Sequence, residues 1–75
     1  MDKKMLEMAA AVMKVSSEDE RIRYKKIPEI DGYYFWLPVR GGIPVIINSN
    51  YEKLGASSAV PYEKHLKAFL SGKRN

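Results

Sequence analysis

The chain has 75 residues, no cysteine and a net charge of +4, from thirteen Lys and Arg against nine Asp and Glu. That length admits one domain, of a size that buries only about 60% of the surface its unfolded chain exposes, and the missing cysteines exclude a disulfide framework and thiolate zinc sites. The longest nearly uncharged apolar run, Met8 to Met13, is far shorter than the roughly 20 residues a membrane span needs, and Glu7 breaks the run a signal peptide requires, so a cytoplasmic protein that does not enter a membrane is expected.

From Asp2 to Val15, the residues Met5, Met8, Ala9, Val12 and Val15 recur at helical spacing, Leu6 and Met13 widen the stripe, and Asp2 is placed to cap the N-terminus. The broad apolar face predicts a helix laid on a sheet, and its methionines, which repack easily, also fit an adaptable binding surface. Ser16 to Glu20 reads as an acidic connector, although Ser17 and Glu20 have the spacing of a capping box. In Arg21 to Ile27, basic Arg21, Arg23 and Lys25 alternate with Ile22 and Tyr24, the period of a half-buried strand with a basic outer face, and Pro28 ends it.

Asp31-Gly32 supplies a turn, Tyr33 to Val39 is rich in strand formers, Arg40-Gly41-Gly42 is a reversal and Ile43 to Asn48 is a second apolar strand. A three-residue loop pairs Val39 with Ile43, Leu37 with Val45 and Phe35 with Ile47, and brings Pro38 opposite Pro44, where neither proline removes a bond within the hairpin. The opposite face then carries Tyr34, Trp36 and Ile46, an aromatic and aliphatic surface that needs a cover: the second helix or a partner.

Asn48-Ser49-Asn50 is a turn by composition. Tyr51 to Ala56 returns as a short strand with Leu54 facing in, or forms a helical turn. Pro61 suits a first helical turn, Tyr62, Leu66, Phe69 and Leu70 form a helical stripe, and Gly72 stands where the helix should stop. The expected fold class is α+β: an N-terminal amphipathic helix, a small antiparallel sheet of three to four strands centred on the 33–48 hairpin, and a C-terminal helix.

No residue pattern points to catalysis, since the chain has no cysteine and a single histidine, His65, which flanks the C-terminal apolar stripe. Glu18, Asp19 and Glu20 lack the spacing and glycine of a calcium loop. Arg40-Gly41-Gly42 lacks the strand-to-helix context of a phosphate loop. Neither a cofactor nor a metal is expected. Two kinds of partner fit the residues. Another protein, or a second copy of the chain, would use Tyr34, Trp36 and Ile46. A nucleic acid would use Arg21, Arg23 and Lys25 beside the aromatic strand, with Lys73 and Arg74.

Phe35-Trp36 on one strand, Gly42-Ile43-Pro44-Val45-Ile46-Ile47 on the next, a polar turn, and Pro61-Tyr62-Glu63-Lys64-His65-Leu66 opening a final helix make a layout over about residues 33–70. It resembles that of small bacterial immunity proteins. The resemblance implies a compact α+β inhibitor that neutralises a toxin by binding it, and it carries no residue roles across.

Overall fold

The computed structural model describes residues 2–38 and 42–74. Helix α1 (Lys3–Met13) opens as the sequence requires: Asp2 Oδ1 accepts from the Lys4 amide at 2.8 Å and the Met5 amide at 3.4 Å, satisfying first-turn donors that have no helical partner. It closes two residues before Val15. Lys14 adopts the left-handed conformation (φ 61°), and the Lys14 and Val15 amides donate to the Ala11 and Ala10 carbonyls, the bond pair of a Schellman stop that usually carries glycine.

The connector that follows is a run of turns. Asp19 Oδ1 accepts from the Arg21 amide at 2.9 Å, which holds Arg21 in a turn and delays strand β1 to Arg23–Ile27, shorter than the expected 21–27. Pro28–Ile30 forms one 3₁₀ turn, and Asp31, not Gly32, takes the left-handed conformation (φ 49°). Strands β2 (Gly32–Trp36), β3 (Val45–Ile47) and β4 (Lys53–Gly55) complete an antiparallel sheet in the order β1-β2-β3-β4. Of the two readings of residues 51–56 the strand holds, confined to Lys53–Gly55 because Tyr51 stands in the preceding turn, and helix α2 (Tyr62–Leu70) follows.

The β2–β3 register differs from the expected one. Phe35 lies opposite Val45, Tyr34 opposite Ile46 and Tyr33 opposite Ile47, a slide of two residues that lengthens the connection and separates Pro38 from Pro44. An even slide leaves every side chain on its expected face. Gly32 accounts for the choice, because β3 lies so close that a Cβ there would overlap the Ile47 carbonyl oxygen and come within 2.7 Å of Asn48 Cα. The strands also stop short of both prolines. The expected Val39–Ile43 pair and most of the Arg40-Gly41-Gly42 loop lie outside the described residues.

Two apolar cores result, one on each face of the sheet. Beneath α1 lie Met5, Ala9 and Met13 against Phe35, Leu37, Val45 and Ile47. Beneath α2, Phe69 packs on Ile27 and Ile46, flanked by Tyr34, Leu54, Tyr62 and Leu66. β3 is buried on both faces, all three residues having no solvent exposure, so a three-residue strand serves two cores. The C-terminus of α2 closes as expected: Gly72 has φ 103°, and the Gly72 and Lys73 amides donate to the Phe69 and Ala68 carbonyls.

Candidate binding surface

α1 lies over β2 and β3, and α2 packs on β3 and reaches β1 through Phe69 on Ile27 and Tyr62 beside Lys25. Of β1's five residues only Ile27 is buried. Its antiparallel register places Arg23 across from Trp36 and Lys25 across from Tyr34 on one face, and Tyr24 across from Phe35 and Lys26 across from Tyr33 on the other. Arg23, Tyr24, Lys25 and Lys26 therefore stand exposed on an edge strand that carries cations on both faces.

On the α2 side, Tyr34 meets Tyr62 edge-on with ring centres 4.7 Å apart and leans on Trp36 at 5.5 Å. The Lys25 ammonium sits 3.7 Å from the Tyr62 ring centre, a cation held against a π-face. Burial, then the neighbouring Tyr62 hydroxyl, pushes the Tyr34 phenol above its usual pKa. Beside these rings Tyr34, Trp36, Leu37, Gly42, Pro44 and Ser58 line a cleft of about 200 Å³. On the α1 side, Tyr24 is 51% exposed and packs edge-on against Tyr33 at 5.8 Å, while the Lys26 ammonium lies 5.8 Å from the Tyr33 ring and 3.8 Å from Asp31 Oδ1.

The residues expected to bind a protein divide. Ile46 is fully buried under α2 and cannot meet a partner while that helix is docked, Tyr34 is partly covered, and Trp36 remains half-buried at the rim of the cleft. The cover that the Tyr34, Trp36, Ile46 face needs is thus mainly the chain's own helix. In the methionine helix, Met5 and Met13 belong to the core and Met8 is partly buried against it.

The basic candidates divide as well. Arg21 is held by Asp19, Nε to Oδ1 at 3.1 Å and Nη2 to Oδ2 at 2.7 Å, and the Arg21 hydrogen bonds keep the Asp19 carboxyl down at about 2. Arg74 lies over the Phe69 ring, donates to the Phe69 carbonyl at 2.7 Å and approaches Glu52 at 3.6 Å, so it fastens the chain end beside β4. Arg23 and Lys25 share the β1 face. Lys73 and Arg74 belong to the β4 side, the other edge of the sheet, and do not join them.

Tyr24, Tyr33 and Lys26 were not among the residues singled out by sequence. The signal was present in the period-two pattern of Arg23 to Lys26, but that pattern makes Tyr24 an inward residue. Its exposure arises because α1 stops short of β1.

His65 is 1% exposed, and its Nε2 donates to the Leu54 carbonyl at 2.6 Å, while Nδ1 has no partner. Burial outweighs that bond and lowers its pKa, so the neutral ring joins α2 to β4. Among the described residues, no group of three His, Asp or Glu is disposed to hold a metal ion, and no helix is long and apolar enough to cross a membrane. No protein-family model matches the chain, and neither a curated protein nor a solved structure matches it.

Proposed function

We propose that this chain is a non-catalytic binding protein that engages an acidic protein partner through β1 and the aromatic rings beside it. The observation that carries this proposal is the exposure of Arg23, Tyr24, Lys25 and Lys26 on an outer strand of which Ile27 alone is buried. Rigid aromatic rings flanked by cations make good contact surface for little entropy loss. A toxin-neutralising inhibitor of the immunity type is one such protein, and a toxin gene adjacent to this one would favour it.

The experiment is affinity capture from the native host, followed by direct titration of the purified captured protein. Wild type should bind it, and Arg23→Glu with Lys25→Glu should weaken binding at least tenfold while leaving the melting temperature within a few degrees, as expected for exposed charges. Unchanged affinity in that variant would remove β1 from the interaction.

A second proposal, nucleic-acid binding, is favoured by one observation: Arg23 and Lys25 share a face with Trp36 and Tyr34, the cation-plus-ring combination on which single strands stack. Only Arg23 and Lys25 of the five expected basic residues stand there. Affinity for an oligonucleotide should then fall steeply with salt, and no shift with single- or double-stranded oligonucleotides at low salt would sink it.

A further inference from the structure

The two edges of the sheet are unlike. β4 is three residues long, and its Leu54 carbonyl takes the hydrogen bond from His65 of α2. β1 is five residues long and contains no proline. No backbone bond outside the β1–β2 ladder reaches Tyr24, Lys25 or Lys26 from the described residues. An outer strand in this state presents alternate N–H and C=O groups to any extended chain of matching length.

The side chains decide which chain can approach. Lys25 is drawn toward Tyr62 on one face and Lys26 toward Tyr33 on the other, so a cation flanks the edge on each side. Arg23 adds a third charge, its Nη1 bound to the Glu20 carbonyl at 2.9 Å. A second copy pairing antiparallel through the same edge would set these cations against their own kind, which is destabilising across a strand pair. A strand bearing Asp or Glu meets the opposite sign.

We infer that β1 accepts an extended acidic segment of the partner protein as a fifth strand, paired through main-chain hydrogen bonds and oriented by Arg23, Lys25 and Lys26. This rests on the proposed binding role and specifies how the contact is made. Lysine on an outer strand also discourages aggregation, and the same charges that repel a basic strand attract an acidic one.

The test uses two synthetic peptides added to the full chain. One alternates Glu and Val, so that its carboxylates share a face opposite Arg23 and Lys25; the other has the same sequence and charge with alternate backbone nitrogens methylated. The first should bind and should slow hydrogen exchange at alternate β1 amides. The methylated peptide should bind roughly tenfold more weakly or worse, since each lost main-chain bond costs about 1 kcal/mol. Equal affinities, or binding without protection of β1 amides, overturn strand addition and leave a purely electrostatic contact. Displacement of the bound peptide by an oligonucleotide, with no β1 protection at any stage, would reassign the face to nucleic acid. The outcomes separate from those of the proposed function: if the captured partner loses affinity on Lys25→Glu but the two peptides bind alike, the surface stands and the strand pairing falls.

Discussion

Single residues carry much of the local specification. Gly32 lies where β2 and β3 come closest, and Gly32→Ala would push a methyl group into the Ile47 carbonyl. Because the obstacle is backbone in the middle of a sheet, relaxation must move a strand, and a loss of about 2–4 kcal/mol is expected in urea denaturation. Lys14 has the opposite prospect: it occupies a left-handed position (φ 61°) with an exposed side chain, so Lys14→Gly should raise stability by about 0.5–1 kcal/mol, seen as a higher denaturation midpoint at unchanged slope.

His65 makes stability depend on pH. Its folded-state pKa lies below the ordinary 6.5 because the ring is buried, an effect the Leu54 bond only partly opposes. The groups facing it are the Tyr34 ring from β2 and the Leu54 carbonyl from β4, and neither offers a negative charge to an imidazolium. Below pH 6.5 the unfolded chain takes up a proton that the folded chain refuses. Stability is therefore full above that value and declines as pH falls from it. Denaturation curves collected between about pH 5 and 7 should show this slope, and His65→Phe should flatten it.

At the level of elements, both helices, the connector and the turn at Asn48 were legible in the sequence because each depends on local signals. Asp2, Gly72 and the helical stripes act within a few residues of themselves. The faces of the hairpin were legible too, because Phe35 alternates with Tyr34 and Trp36 along β2, Ile46 alternates with Val45 and Ile47 along β3, and the observed register differs from the expected one by an even number of residues. The register was not, because what chooses it is the approach of Gly32 to Ile47 and Asn48, a contact between strands. The β3–β4 turn also departs from local preference. Tyr51 stands in the left-handed position (φ 63°) after Asn48 has bound the Asn50 and Glu52 amides through Oδ1 at 3.0 and 2.9 Å. What holds it there is distant: the Tyr51 hydroxyl donates to Asp2 Oδ2 at 2.7 Å, and Lys4 lies over its ring. That bond, ahead of the Lys4 and Met5 amides, keeps the Asp2 carboxyl below its ordinary range. The latch is lost as pH falls through that lowered value. Tyr51→Phe should lower the melting temperature at neutral pH and change it little in strong acid.

On the scale of the whole molecule, the sheet is enclosed at its centre and open at one side. Ile46→Ala should cost about 2–5 kcal/mol, the range for a large core residue, because Phe69 and Ile27 surround it. Tyr24→Ser on the open strand should cost far less. Like charges on β1 also predict oligomeric behaviour: sedimentation at low salt should give a monomer, and any pairing through this edge should appear only when salt screens Arg23, Lys25 and Lys26. The candidate surface was only partly legible from sequence, since Arg21 and Arg74 look available until Asp19, Phe69 and Glu52 are seen to hold them.

The double burial of β3 bears on partly folded states of the protein. Where α1 is docked and α2 is not, Tyr34, Ile46 and Leu54 have the α1 core behind them and water in front. A chain in that state displays a bare apolar face beside the open β1 edge, a natural target for a holding chaperone. Docking of His65 and Phe69 ends that exposure, so α2 is the element that shields this face of the sheet from such capture.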